Sequence, residues 1–113
     1  MCTRSLDIIK VSIAAAVRAV RAADPGIRVE VLIPDFGGDA RALGAVLEAG
    51  PAVLNHNIET PEAVYPRIGR PLANYRRSLG VLREAKARGA TTKSGLMIGL
   101  GETREETAHA LQD

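Results

Sequence analysis

The sequence predicts an α/β fold in which about three parallel strands alternate with helices. The first observation behind this is alternation. Stretches with apolar residues every three or four positions are separated by short β-branched runs, the pattern of strand–helix–strand units with right-handed crossovers. The second is composition. Apolar residues make up 46% of the 113, but the aromatics are only Phe36, Tyr65 and Tyr75. The apolar mass is therefore mainly Ala, Val, Leu and Ile, which suits helices packed on a parallel sheet.

The elements follow in order. Ile9, Ile13, Val17 and Val20 predict a helix over about Leu6 to Ala23, stopped by Asp24-Pro25-Gly26. Ile27 to Ile33 reads as a strand, and Val31-Leu32-Ile33 is apolar on both faces, as in a buried parallel strand. Pro34 ends it, because proline cannot donate to a ladder. After the loop Pro34–Gly38, Asp39 is placed to cap a helix running to about Ala49. Ala52 to Asn55 is a second strand. Thr60 followed by Pro61 predicts a helix start, with Thr60 as the cap. A helix over about Leu72 to Arg88 places Leu72, Tyr75, Leu79, Leu82 and Ala85 on one face. Thr91 to Ile98 is the third strand, Gly99–Glu102 a tight turn, and Thr103 with Glu106 a capping box opening a last helix. Three parallel strands leave two edges to cover, which suggests a piece of a larger barrel with low stability and a tendency to self-associate.

Several classes are excluded. A net charge of +2 with dispersed arginines argues against nucleic-acid binding. No apolar run reaches the roughly 20 residues of a membrane helix, and no signal-peptide pattern opens the chain, so a cytoplasmic location is expected. The single cysteine, Cys2, excludes an internal disulfide and a multi-cysteine metal site. No catalytic triad or zinc-ligand spacing is visible, so no catalytic or metal-ligating residue is assigned.

In parallel α/β folds ligands sit at the carboxyl ends of strands, and three stretches fall there. Asp35 follows the first strand, where an acid either bonds a ligand or caps its own turn, the commoner role. Asn55-His56-Asn57-Ile58-Glu59-Thr60 concentrates polar groups directly after a buried strand. Asn and Glu there can bond ribose hydroxyls or an ammonium group, and His56 alone more commonly bonds backbone. Gly95 through Glu102 places glycines before a helix start, where backbone can approach a ligand closely. Arg77, in a helix opening near the second stretch, can hold a carboxylate or face solvent. Lys93 early in the third strand needs a partner if buried.

The strings Val29–Phe36 (VEVLIPDF), Asn55–Thr60 (NHNIET), Pro71–Leu79 (PLANYRRSL) and Thr92–Thr103 (TKSGLMIGLGET) resemble lipoyl synthase in content and order. Residues 13–113 match as the central part of the barrel, and residues 1–12 fall outside the match. The resemblance implies a radical S-adenosylmethionine (SAM) enzyme with a partial (β/α) barrel, SAM and two [4Fe–4S] clusters. It implies insertion of sulfur at C6 and C8 of an octanoyl chain on a lipoyl carrier protein. It also implies that Asn55, Asn57 and Glu59 contact the ribose or methionine part of SAM. Arg77 or Ser78 would meet the methionine carboxylate, and Gly95, Met97, Gly99, Gly101 and Glu102 would line the adenine. The family's two cysteine motifs are absent, and one thiolate cannot hold a cluster. The expectation is an internal piece of such an enzyme, inactive alone. The alternatives are a piece of a related radical SAM enzyme such as biotin synthase, or a non-catalytic binding remnant.

Overall fold

The computed structural model of the chain describes residues 3–70 and 73–113. The element order is α1 (Thr3–Ala23), β1 (Glu30–Leu32), α2 (Ala40–Glu48), β2 (Val53–Asn55), α3 (Tyr75–Ala87), β3 (Thr92–Lys93) and α4 (Arg104–Gln112). Short 3-10 turns lie at Phe36–Gly38 and Glu62–Arg67. The strands form one parallel sheet in the order β1-β2-β3. The expected α/β alternation is thus observed.

One face of the sheet carries the core. Val31, Ile33 and Leu54 meet Ala14 and Val17 of α1, Ala42, Leu43 and Val46 of α2, and Val81 and Ala85 of α3. Each fully buried Leu or Val here contributes about 1.5–3 kcal/mol. Side chains alternate along a strand, so Glu30, Leu32, Asn55 and Lys93 lie on the opposite face. Leu32 is 61% exposed. The expectation that Val31-Leu32-Ile33 is buried on both sides is therefore corrected: among the described residues, helices cover one face only. Lys93, expected to need a partner in a buried strand, is exposed and donates to Glu30 Oε1 at 3.1 Å. Asn55 Nδ2 donates to the same oxygen at 3.2 Å. Lys93 first, then Asn55, holds the Glu30 carboxyl below its ordinary range.

Caps fix the helix starts. Asp39 accepts from the Arg41 and Ala42 amides and opens α2 as expected. Thr103 and Glu106 form the reciprocal capping box of α4. Asn74 accepts from the Arg77 amide and opens α3. Leu72, expected on the buried face of this helix, lies outside the described residues. Thr60 does not cap: the N-cap position is Pro61, whose extended backbone delays the turn to Glu62. Thr60 is instead fully buried, and its hydroxyl has no partner among the described residues.

Strand lengths also differ from expectation. β1 begins at Glu30 rather than Ile27, because the Asp24–Ile27 turn leaves Ile27 46% exposed. β3 covers Thr92–Lys93 instead of Thr91 to Ile98; beyond it a single bridge joins Leu96 to Glu59. Val20 is 42% exposed, because the buried stripe of α1 passes through Ala14 and Val17.

A second, smaller cluster sits under α4: Ile58, Tyr75, Leu79 and Ala110, with Tyr65, Leu82 and Leu96 packed against it. The Tyr65 and Tyr75 rings meet edge-to-face, with centroids 5.7 Å apart and planes at 82°. The Tyr75 hydroxyl donates to Asp113 at 2.8 Å, and the Tyr65 hydroxyl donates to the Ile58 carbonyl. Burial, then the bond to Asp113, pushes the Tyr75 phenol up from 10.0 to about 12. Burial also raises Tyr65. The folded state therefore binds more protons than the unfolded one above pH 10, and this stability, complete below the free phenol's pKa, is lost as pH rises towards about 12. Phenolate absorbance of the folded chain should show both midpoints above 10.0, with Asp113→Asn lowering that of Tyr75. Folded tyrosines titrating at the free value would contradict this packing.

Candidate functional site

A cleft of about 520 Å3 opens at the carboxyl ends of β1 and β2. Its walls include Leu32, Pro34 and Asp35 after β1, His56, Asn57 and Glu59 after β2, and Tyr65, Arg70, Ala73 and Ser78 from the segment leading into α3. That size lies within the roughly 300–1,000 Å3 of small-molecule sites.

His56 is the centre of the wall. It is 7% exposed. Its Nδ1 lies 2.8 Å from the Ile33 carbonyl oxygen and its Nε2 lies 2.9 Å from Ser78 Oγ. A carbonyl only accepts, so Nδ1 donates, and in the neutral ring Nε2 accepts the Ser78 hydroxyl. The imidazole thereby ties the end of β1 and the first turn of α3 to β2. The backbone-bonded role expected for His56 is the observed one, with Ser78 added.

Asp35 makes a parallel tie. One carboxylate oxygen accepts from the Gly37 amide at 2.8 Å, and the other accepts from Arg77 Nε at 2.8 Å. The loop around it is tightly wound: Phe36, Gly37 and Gly38 have φ of 51°, 64° and 82°. The glycines adopt this region freely, but Phe36 does not. Its ring, 1% exposed in the core, holds it there.

The polar stretch after β2 is equally constrained. Glu59 has φ 66°, unusual for a residue with a Cβ. Its carbonyl accepts from the Met97 amide at 2.7 Å, and its carboxylate meets Arg70 Nη1 at 3.1 Å. The Ile58 amide donates to the Gly95 carbonyl at 3.1 Å. Gly95 lets the Asn57 side chain lie close to the backbone: a Cβ there would stand 3.1 Å from Asn57 Oδ1 and push the amide aside by a few tenths of an ångström.

Asn57, Glu59 and Ser78 thus come together at the cleft. Arg77 does not line it; its side chain turns to Asp35 and borders a separate hollow with Gly38 and Glu84. Asn55 lies below, bonded to Glu30 on the open sheet face. Among the described residues, Gly95, Met97, Gly99, Gly101 and Glu102 flank the cleft rather than line it. Gly99 and Gly101 take φ of 100° and 99°, and Glu102 accepts from the Gly99 and Leu100 amides at 2.6 and 2.9 Å. The Gly99 amide is the leading cause that lowers the Glu102 carboxyl. Arg70 and Tyr65 are cleft residues that sequence reasoning missed. Arg70 follows a glycine in an irregular segment without periodicity, and its one signal was being a cation shortly after an isolated strand-end acid.

These features define an α/β unit whose cleft lies at strand carboxyl ends, and the family model of the radical SAM superfamily matches residues 4–113. The chain belongs to that superfamily. Within it, the chain is similar to the lipoyl synthase of Oleidesulfovibrio alaskensis, 59% identical over 100 residues covering 88% of this chain and 34% of that protein. It is 55% identical to the lipoyl synthase of Nitratidesulfovibrio vulgaris and 53% to that of Pyrobaculum calidifontis, each over 88% of this chain and 33% and 34% of the relative. The chain spans about a third of the length of the curated relatives it matches.

An iron–sulfur cluster is held by several thiolates, and this chain's sequence has one cysteine, Cys2. Among the described residues no group of three His, Cys, Asp or Glu side chains is placed to hold a metal ion. The residues present do not fit a cluster. They do fit a nucleoside: the cleft is of suitable size and offers carboxylate, amide and guanidinium groups at its mouth.

The His56–Ser78 bond can be tested by a double-mutant cycle in urea. His56→Ala and Ser78→Ala should each cost about 1–3 kcal/mol, because each leaves a buried polar group unpaired. The double variant should cost less than the sum by roughly 0.5 kcal/mol or more. Additive losses would mean that the two side chains are not coupled.

Proposed function

We propose that this chain is the central, SAM-facing portion of a lipoyl synthase, the enzyme that inserts sulfur at C6 and C8 of a protein-bound octanoyl chain. One observation carries the reading. Three of the strings that resemble lipoyl synthase, around Pro34-Asp35, His56–Glu59 and Ala73–Ser78, converge on one cleft.

In this reading the Glu59 carboxylate accepts ribose hydroxyls, and the Asn57 amide bonds the ribose or methionine part. Asn55 supports that end of β2 from the open sheet face. Gly95, Met97, Gly99, Gly101 and Glu102 form the wall beside the adenine, where the Glu102 bonds keep the glycine turn in one shape. SAM held here would supply, once reduced by one electron from a centre that this chain's residues do not hold, the 5′-deoxyadenosyl radical used on the octanoyl chain. The residues here bind, orient and position. The macromolecular partner is the octanoylated carrier protein, and the compartment is the cytoplasm. Among the described residues no helix is long and apolar enough to cross a membrane.

The matching 100-residue stretch of the Oleidesulfovibrio alaskensis enzyme can be replaced with that of this chain. The chimera is expected to lipoylate an octanoylated carrier, read as the mass gain of sulfur. A chimera that folds and holds both clusters but leaves the octanoyl group unchanged would overturn the proposal.

The same reading makes the chain alone inactive, because the cluster ligands lie outside it. Anaerobic reconstitution of the 113-residue chain with iron and sulfide should leave it with far less than one [4Fe–4S] cluster per monomer. A stoichiometric cluster would refute this part of the reading.

A further inference from the structure

We infer that Arg70 is the residue that receives the α-carboxylate of an amino-acid-bearing nucleoside in the cleft, an assignment that rests on the SAM reading above. Arg77 and Ser78 are the neighbouring candidates, and both are engaged elsewhere. Arg77 Nε is held by Asp35 at 2.8 Å, its stem lies over Gly38, and it borders the separate hollow. The Ser78 hydroxyl is donated to His56 at 2.9 Å inside the wall. Drawing either side chain to a ligand would break a tie that shapes the cleft. Lys93 is paired with Glu30 on the sheet face below.

Arg70 differs on each point. It is the basic side chain among the residues that line the cleft. Its contact with Glu59 runs from Nη1 to a carboxylate oxygen at 3.1 Å. A guanidinium has five N–H donors in a planar fork that suits a carboxylate in bidentate contact, so this contact leaves most of its capacity unused. The Arg70 side chain is 54% exposed and that of Glu59 26%. Solvent screens such a pair, and exchanging it costs little.

The exchange balances in charge. The ligand brings one carboxylate and an ammonium. Its carboxylate replaces Glu59 on Arg70, and Glu59 is released to accept from ribose hydroxyls or the ammonium. The backbone of Glu59, at φ 66°, is held by its carbonyl bond to Met97, which fixes where its shorter side chain starts. Arg70 is then the mobile member of the pair, and it moves toward the carboxylate while the acid stays in place.

The test is calorimetric titration of the 113-residue chain with two probes that differ only in the carboxylate. These are S-adenosylhomocysteine and its decarboxylated counterpart, S-adenosyl-3-thiopropylamine. The unaltered chain is expected to prefer S-adenosylhomocysteine by about ten-fold or more. Arg70→Gln should abolish the preference while binding the decarboxylated probe within about two-fold of the original, and Arg70→Lys should keep part of it. Arg70 is on the surface, so far-UV circular dichroism should be unchanged in both. The assignment is overturned if Arg70→Gln keeps the preference or weakens both probes equally. It is also overturned if Arg77→Gln removes the preference and Arg70→Gln does not. An unaltered chain that binds both probes equally overturns the Arg70 assignment and leaves the nucleoside reading standing. A chain that binds neither overturns both.

Discussion

The imidazole of His56 joins three parts of the chain that are far apart in sequence. It reaches back 23 residues to the Ile33 carbonyl and forward 22 to the Ser78 hydroxyl. Both bonds lie in the interior, where an unmade polar contact is expensive. Everything at the cleft depends on that pair. The end of β1 delivers Pro34 and Asp35, β2 continues into Asn57 and Glu59, and the first turn of α3 closes the far side. Asp35 repeats the tie nearer the surface through Arg77. The two contacts act in parallel, one a buried hydrogen-bond pair and the other a part-buried ion pair.

Strain lies next to these ties. Phe36 and Glu59 are the non-glycine residues with positive φ among the described residues, and each follows a strand end at the cleft. Such backbone costs of order 1–3 kcal/mol and persists only where the surroundings over-determine it. For Phe36 the surroundings are the core around its ring. For Glu59 they are backbone bonds to the 95–97 segment. In both places core packing and ladder pairing offset distortion that aims a carboxylate, Asp35 or Glu59, at the cleft.

Much of the fold was legible because it rests on local rules. Asp39 and Thr103 cap as their spacing requires, and β-branched runs mark β1 and β2. What was hidden depends on the third dimension. Val31, Leu32 and Ile33 look alike in sequence, but only the sheet's sidedness separates a buried Val31 from an exposed Leu32. Thr60 carries the chemistry of a cap, and the extended Pro61 after it shifts the turn so that the hydroxyl is enclosed. The polar stretch 55–60 stood out by composition, and His56, Asn57 and Glu59 from it line the cleft. Arg70 could not be found that way, since an arginine in an irregular segment has no periodicity to give its direction.

The long sequence separations across His56 have a consequence for how the molecule comes into being. Closing loops of this length has an entropic cost before any contact rewards it, and the buried imidazole is satisfied only when β1, β2 and α3 have docked together. The mouth of the cleft therefore has no existence apart from the packed sheet and helices. Forming the cleft and acquiring a native state are the same cooperative event for this chain.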